Sequence, residues 1–419
     1  MSACCGLDFG TSNTALALVR EGRSVPLVLD PRHRPPETIP TLLYFSPDHL
    51  RAYGTEAVDA YLERAMAGRF IQSIKRYLPS KTFDYTMING RTYDLSELIA
   101  GFLEHLKWLA ERATGAPVER VLLGRPARFD PDPDRDRLAE RRLEQAAALA
   151  GFDEIRFRIE PIAAARAFEQ QLDREVLCLV GDLGGGTSDF TVMRLGPERV
   201  GRLDRSGDIL GSDGVSVGGN DFDAALVRRF VLPHLGGGSQ YRPLGRWIPV
   251  PSRLHAAMTS WHQLSFVATP ENLRALRTWI RTADDAVGLE RLLELLEWNY
   301  GFQVFQAVER AKVALSTAAH TRLRFAEGGV TIDEPVSRAD FEVAVRPLTE
   351  RLEQTIDALM ETLGLQARDV TAVFLTGGTS LIPCVRDLFR ARFGDRLLER
   401  DAFTSVGAGL GVEAAEIWG

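Results

Sequence analysis

Two glycine-tipped segments of the chain repeat one plan, and this repeat constrains the fold more than any other feature. Residues 4–19 have the sequence CCGLDFGTSNTALALV, and residues 178–195 have the sequence CLVGDLGGGTSDFTVMRL. In each segment an apolar run ends in Asp, a glycine turn carries a Thr-Ser pair, and a second apolar run follows. Apolar runs on both sides of a glycine turn predict a β-hairpin. A hairpin duplicated about 174 residues apart predicts two similar lobes.

Most of the remaining chain has the apolar spacing of helices. The predicted helices cover residues 95–113, 135–151, 160–171, 220–232, 288–316 and 340–364, and Gly151 is expected just after the end of the second. Residues 369–378 predict a buried strand that leads into a further glycine turn. Residues 233–253 are rich in Gly and Pro and predict irregular structure. Tyr241 and Trp247 in that segment are interpreted first as anchors of a long loop, and second as a contact surface.

Composition excludes several classes of protein. The 419 residues carry a formal net charge of −7, which argues against a nucleic-acid-binding surface. The sequence contains no uncharged apolar window of membrane-spanning length and no N-terminal pattern typical of a signal peptide, so we expect a cytoplasmic protein without a membrane anchor. Cys4, Cys5, Cys178 and Cys384 lie in apolar, strand-like runs and are interpreted as small core residues.

Three glycine turns are candidates for phosphate binding. They are DFGTSN (8–13), DLGGGTSD (182–189) and LTGGTS (375–380), and each follows an apolar strand and carries hydroxyl side chains. Phosphate oxygens need several N–H donors at close range, and a glycine turn supplies them without side chains in the way. A single such turn is weak evidence, but three favour a phosphate site over plain tight turns.

The carboxylates in these turns indicate a bound cation. Asp8, Asp182 and Asp189 would repel a polyphosphate unless a cation lay between them, and Mg²⁺ bound mainly through water fits best. Thr11 and Thr187 are placed to donate hydrogen bonds to the terminal phosphoryl oxygens. The residues alone identify neither the base of the nucleotide nor the reaction.

At this point the sequence resembles a known family. The segments GLDFGTSN, IEPIAAARAF, GDLGGGTSDFTV, VGGNDFD, ERAKVALS and FLTGGTSLIP resemble, in the same order, the motifs of the ATPase domain of the DnaK-type heat-shock chaperones, the heat-shock protein 70 family. The resemblance is greatest to the YegD-type group, because of LGRPARF (123–129) and RLDRSGDILGSDGVSVGGNDFD (202–223).

The resemblance implies an α/β, two-lobed, actin-like ATPase fold: a duplicated mixed sheet with flanking helices and the nucleotide in the interlobe cleft. Lobe I would cover residues 1–172, with an outer subdomain at about 39–114. Lobe II would cover 173–400, with an outer subdomain at about 226–315. Residues 401–419 would form a helix that returns to lobe I.

The resemblance also implies roles for individual residues. Lys75 would orient the attacking water, Glu160 would belong to the water and metal network, and Thr187 would contact the γ-phosphate. Asp8 and Asp182 would hold the metal through water. Asp182 and Asp189 would be the carboxylates of the metal network and of the catalytic base. Pro126 would couple the nucleotide state to movement of the lobes. The remaining residues implied to contact ATP or ADP are Gly10, Thr11, Ser12, Asn13, Gly184, Gly185, Gly186, Gly218, Gly219, Glu309, Lys312, Ser316, Gly377, Gly378 and Leu381.

Lysine is scarce in this chain, and we interpret its retention as informative. Only four of the 50 basic residues are lysines, and two of them, Lys75 and Lys312, lie in the motifs. A compact ammonium beside an attacking water is not replaced by the broad guanidinium of arginine. Lys81 and Lys107 are expected on solvated faces.

The sequence departs from the family pattern at two places. Val313 and Leu381 occupy positions where the family has arginines that stack on adenine, so cation–π stacking on the base would be lost. The sequence ends at GAGLGVEAAEIWG, where the ATPase domain of the family ends, so we expect no peptide-binding domain.

Four functions are consistent with these features. The first is a slow Mg²⁺-dependent ATPase whose nucleotide state controls binding of a protein partner, with residues 233–253 as the candidate surface. The second is an ATP-sensing module that binds without hydrolysing. A small-molecule kinase of the same superfamily is less favoured, and a filament-forming actin relative less still.

Overall fold

A computed structural model describes residues 3–64, 67–83, 85–169, 171–200, 202, 205–259, 264–398 and 405–419. The chain forms two compact units. The first comprises Met1–Gly218, Leu352–Leu381 and Val385–Gly419, and the second comprises Gly219–Arg351 and Ile382–Cys384. The lobe boundaries expected from the sequence stay a prediction.

The strands are short and spread along the described chain. In order they are β1 (Ala3–Asp8), β2 (Asn13–Arg20), β3 (Arg23–Pro26), β4 (Thr38–Pro40), β5 (Leu42–Phe45), β6 (Arg51–Tyr53), β7 (Arg69–Gln72), β8 (Tyr85–Ile88), β9 (Arg91–Asp94), β10 (Val118–Arg125), β11 (Glu154–Ile159), β12 (Val176–Leu183), β13 (Ser188–Leu195), β14 (Ile209–Val215), β15 (Gln240–Tyr241), β16 (Ile248–Pro249), β17 (His320–Glu327), β18 (Val330–Ser337), β19 (Ala372–Thr376) and β20 (Leu397–Leu398).

The helices alternate with these strands. In order they are α1 (Gly54–Glu63), α2 (Leu95–Thr114), α3 (Pro133–Leu149), α4 (Glu160–Glu169), α5 (Gly219–Leu226), α6 (Ser252–Ala257), α7 (Leu264–Val267), α8 (Pro270–Ile280), α9 (Ala286–Glu297), α10 (Gly301–Thr317), α11 (Arg338–Thr362), α12 (Pro383–Phe393) and α13 (Ser405–Trp418). No helix in the described part of the chain has the length and apolar character needed to cross a membrane.

The first unit contains two mixed sheets, each built around one of the repeated hairpins. One sheet has the order β11-β10-β1-β2-β3, with β4 also paired to β2, and the other has the order β14-β13-β12-β19-β20. In both, the first strand of the hairpin pairs antiparallel with the second and parallel with a strand from elsewhere, β10 for β1 and β19 for β12. The predicted duplication of a strand–turn–strand unit is therefore confirmed.

Local sequence signals account for the helices beside the first sheet. The side chain of Asp94 accepts from the backbone N–H of Glu97, and the Glu97 side chain accepts from the backbone N–H of Asp94, which forms a capping box at the start of α2. Gly151, with φ of +87°, follows the end of α3 as predicted. The C-terminal helix α13 packs against β1 and α4, and its Leu410 is fully buried.

The second unit contains α5 to α10 and the β17–β18 hairpin. The single helix predicted over residues 288–316 is wrong, because the chain breaks between α9 and α10. Asn299 at the break has φ of +53°, in the left-handed region that ends helices. A Cβ at Gly301 would lie 1.9 Å from Cδ1 of Leu264, so the glycine permits close packing at the start of α10. The apolar periodicity that continues across the break concealed it.

Residues 233–253 are irregular apart from the two-residue strands β15 and β16, two short 3₁₀ turns and the first two residues of α6. Tyr241 stacks on Trp279 of α8 with ring centroids 5.3 Å apart, as expected of an anchor. Trp247 is half exposed, and Leu244 at the tip of the hairpin is fully exposed. The two aromatic residues therefore differ in environment.

Two smaller expectations are wrong. Cys384 lies on α12 rather than in a strand and is only partly buried, whereas the other three cysteines are buried. Lys107 is not on a solvated face: its side chain is 16% exposed and is paired with Glu111 one helical turn later. Lys81 is exposed, as expected.

Candidate functional site

The turns of the two hairpins and the turn after β19 line one cavity of about 310 Å³ in the first unit. The cavity is lined by these predicted site residues: Asp8, Gly10, Thr11, Ser12, Asn13, Lys75, Glu160, Asp182, Gly184, Gly185, Thr187, Asp189, Gly377 and Gly378. Its volume lies at the lower end of the range for small-molecule sites. Three segments that are far apart in sequence, and that were selected only for their glycine turns, thus come together.

Glycine is required in at least two of these turns. A Cβ at Gly10 would lie 2.0 Å from the carbonyl oxygen of Asn13. Gly377 has φ of +80°, and a Cβ there would lie 2.2 Å from the carbonyl oxygen of Leu183. Any other residue would force these turns to open, so the sequence has glycine where backbone segments approach each other closely.

Threonine hydroxyl groups stabilise the turns by donating hydrogen bonds to them. Thr41 donates to the carbonyl oxygen of Gly10 at 2.9 Å, and Thr379 donates to that of Gly184 at 2.8 Å. Thr376 donates to Oδ1 of Asp182 at 2.9 Å. These hydrogen bonds satisfy one carbonyl oxygen in each of two turns and one carboxylate oxygen of Asp182.

Lys75 and Glu160 form a buried ion pair in the wall of the cavity. Nζ of Lys75 lies 2.9 Å from Oε1 of Glu160, and the two side chains are 11% and 5% exposed. Glu160 begins α4 directly after β11, and Lys75 lies in a single 3₁₀ turn, Ile74–Tyr77. Burial alone would lower the pKa of Lys75, but the charges of Glu160 and Asp8 raise it above its ordinary value, so the ammonium stays charged.

Three carboxyl groups around this lysine have raised pKa values. Burial, followed by the charge of Glu160, raises the pKa of Asp8 well above its ordinary value. Burial and the charge of Asp182 raise the pKa of Asp189 to about 7, although Thr187 donates a hydrogen bond to it at 3.1 Å. Burial also raises the pKa of Glu160, and Lys75 opposes this shift. The carboxyl groups that line the cavity outnumber its cationic side chains, so a further cation bound there would be stabilised.

The residues present fit Mg²⁺ held through water and a phosphate chain. In the described part of the chain, no three His, Cys, Asp or Glu side chains are grouped closely enough to bind a metal directly. Asp8 and Asp182 both line the cavity, as residues that hold a metal through water would. Oγ of Ser12 is buried and has no hydrogen-bond partner among the described residues, so a ligand oxygen would satisfy it.

The other predicted site residues do not line this cavity. A Cβ at Gly218 would lie 2.5 Å from the backbone nitrogen of Gly186, so both glycines belong to the packing of the second turn. Leu381 ends a 3₁₀ turn and is 41% exposed. Gly219 begins α5 in the second unit, and Glu309, Lys312 and Ser316 lie there on α10.

Lys312 also forms a buried ion pair. Its Nζ lies 2.7 Å from Oδ2 of Asp223, and burial raises the pKa of Asp223 to about 6 despite this partner. The nucleoside contacts expected of Glu309, Lys312 and Ser316 stay a prediction.

Sequence reasoning missed several residues of the cavity wall. Arg76, Arg128 and Thr376 line it, together with Pro126, which the family resemblance had singled out. Thr376 could have been found, because it precedes the two glycines of the third turn. Arg76 follows Lys75 directly, but nothing in its own sequence context distinguishes it from the many other arginines.

The paired hairpins, their mixed sheets and the glycine-lined cavity define an actin-like ATPase fold. Comparison with known proteins gives the family: the chain belongs to the Hsp70 family, because the sequence profile described as Hsp70 protein matches residues 81–234 and 301–413. The first hairpin and Lys75 lie outside those two segments. The YegD-type group suggested by the motifs stays a prediction.

The chain is also similar to the chaperone protein DnaK of Thermosipho melanesiensis. The two sequences are 26% identical over 425 residues, which cover 99% of this chain and 59% of that protein. The chain therefore spans about three fifths of the length of this relative.

Proposed function

We propose that this chain binds ATP with Mg²⁺ in the cavity and hydrolyses it slowly. The observation that carries the proposal is the convergence of both hairpin turns on the buried Lys75–Glu160 pair. Glycine turns supply backbone donors for phosphate, and the surplus of carboxylates suits a divalent cation. When bound, Mg²⁺ would neutralise charge on the phosphate chain.

In this proposal the residues of the cavity act by positioning and by electrostatics. Glu160 holds Lys75 in one orientation, and the ammonium orients an attacking water and stabilises negative charge on the terminal phosphoryl group. Asp189, with a pKa of about 7, is suited to exchange a proton with that water near neutral pH. Thr187, which donates to Asp189 in the structure, would turn towards a phosphoryl oxygen.

The test is ATP turnover by the purified chain, with and without Mg²⁺, in wild type and Lys75→Ala. We expect the variant to bind ATP and to turn it over roughly 10²–10³-fold more slowly, since positioning and charge stabilisation supply most phosphoryl-transfer catalysis. Lys81→Ala is the matched control, because Lys81 is exposed and does not line the cavity. Turnover of Lys75→Ala equal to wild type would refute the role of Lys75.

A non-hydrolysing ATP sensor is the second candidate, favoured by the exposed apolar residues Val313 and Leu381 where the family has arginines. Tight ATP binding by wild type without Mg²⁺-dependent phosphate release would select this candidate.

Binding of a folded protein partner, controlled by the nucleotide, is part of both candidates. The exposed tip of the β15–β16 hairpin, with Leu244 and Trp247, is the proposed contact surface. Capture of a partner that is unchanged between ATP and ADP would exclude control by the nucleotide.

A further inference from the structure

The side chain of Arg76 lies where the first and second glycine turns meet. A Cβ built on Gly186 of the second turn would lie 3.1 Å from Cδ of Arg76, 3.4 Å from its Nε and 3.1 Å from Cγ2 of Thr11 in the first turn. Arg76 also lines the cavity, and it is the residue directly after Lys75. The side chains of Arg76 and of Thr11 in the first turn thus both lie close to Gly186 in the second turn.

The guanidinium of Arg76 is free to bind a ligand. It has no hydrogen bond or ion pair with any residue that the structure describes. Arg142, by contrast, has a guanidinium that is hydrogen-bonded within the fold. It donates to the carbonyl oxygens of Leu78 and Ser80, 2.9 and 2.8 Å away. Arg142 therefore has a structural role, whereas nothing in the described fold uses the charge of Arg76.

The charge of the neighbouring lysine is already compensated. Lys75 is paired with Glu160 at 2.9 Å, and Asp8, Asp182 and Asp189 add further negative charge to the same cavity. A phosphate chain that enters this cavity would meet Lys75 already bound to a carboxylate, and Arg76 and Arg128 carry the remaining positive charge of its lining. A second cation without a partner would make the site more favourable for an anion.

We propose that Arg76 binds the terminal phosphoryl group of a nucleoside triphosphate in this cavity. This inference rests on the proposed ATP site. Lys75 acts as a compact charge beside the attacking water, and the planar guanidinium of Arg76 donates two hydrogen bonds to phosphoryl oxygens. The contact is with the terminal group, because the side chains of Arg76 and Thr11 both lie near Gly186 and Arg76 follows Lys75. Thr11 and Lys75 are the two residues assigned to that group. Arg76 is thus a residue that discriminates triphosphate from diphosphate.

The experiment compares the affinities for ATP and ADP, each with Mg²⁺, by calorimetry. For Arg76→Ala we expect ATP to bind about 10- to 100-fold more weakly and ADP less than about twofold more weakly, as loss of charge-assisted hydrogen bonds to one group predicts. Arg76→Lys should recover part of the ATP affinity, since it keeps the charge but not the fork. Arg23→Ala is the matched control, because Arg23 is exposed on β3 and does not line the cavity.

The outcomes separate this inference from the proposed function. If wild type binds neither nucleotide, the ATP site itself is refuted, and the inference with it. If wild type binds ATP and Arg76→Ala keeps the same ratio of ATP to ADP affinity, Arg76 is a solvated surface residue and only the inference is refuted. Equal weakening of ATP and ADP would also refute it, because the contact would then lie elsewhere on the phosphate chain. Arg76→Gln, measured in parallel, provides the comparison should the alanine variant fold poorly.

Discussion

Replacement of Asp189 by Asn should stabilise the nucleotide-free protein at pH 8 and leave its stability unchanged near pH 4. Asp189 lies on β13 directly opposite Asp182 on β12, so two carboxylates face each other across one hairpin. A Cβ at Gly214 on the neighbouring strand β14 would lie 2.4 Å from Oδ1 of Asp189. The Asp189 side chain therefore fits only because residue 214 is a glycine. Burial and the charge of Asp182 raise the pKa of Asp189 to about 7.

The sign and the size of the effect follow from that pKa. In the unfolded chain Asp189 loses its proton near the ordinary value of 3.8, and in the folded chain only near 7. Between these values the folded state binds more protons, so its stability falls as the pH rises, by up to about 1.4 kcal/mol per pH unit. A difference of about three pH units corresponds to about 4 kcal/mol as an upper limit. We expect about 1–3 kcal/mol at pH 8, because the Asn side chain must still be desolvated.

The measurement is urea unfolding of the nucleotide-free protein in chelator, at several pH values from 4 to 8. The difference in unfolding free energy between Asp189→Asn and wild type should grow from near zero at pH 4 to its full value above pH 7. Asp213→Asn is the matched control, because Asp213 is exposed on β14 in the same sheet. The reasoning is refuted if the variant is less stable than wild type at pH 8, or if the difference does not vary with pH. Lower ATP turnover by the more stable variant would support a role for Asp189 in proton transfer.

Two further predictions concern the base and the third glycine turn. With Val313 and Leu381 in place of two stacking arginines, ATP should bind roughly 5–500-fold more weakly than at a site that keeps both, with little preference over GTP. Calorimetry that found nanomolar ATP affinity and strong rejection of GTP would contradict this. Gly377→Ala should lower the unfolding free energy by about 2–4 kcal/mol, because the new Cβ would meet a backbone oxygen of β12 at 2.2 Å in addition to the strain of φ at +80°. Gly394→Ala, with φ of +60° and no atom within 4 Å, should lose only about 1 kcal/mol in the same urea assay, and equal losses would show that the close approach is unimportant.

The features that the sequence predicted well are those encoded within a few residues. The hairpins of residues 4–19 and 178–195 follow from apolar runs around glycines, and α2 follows from its apolar spacing and capping box. The break at Asn299 was missed because a left-handed residue leaves no periodic signal. Arg76 was missed for a different reason: its side chain and that of Thr11 both lie near Gly186, and only the folded chain brings these three residues together.

Most of the few lysines that this chain retains are buried in ion pairs, and burial of this kind does not by itself indicate catalysis. Lys75, Lys107 and Lys312 have side chains only 11%, 16% and 15% exposed, and each has its ammonium within 3 Å of a carboxylate oxygen. Only Lys81 is exposed, at 55%. A compact ammonium fits a tight site beside one carboxylate, whereas a guanidinium needs room for a planar fork with five donors. Lys107 satisfies this packing rule on α2 without lining the cavity, so the residue type alone cannot assign a function to Lys75. That assignment depends on where the ion pair lies, beside the turns of both hairpins.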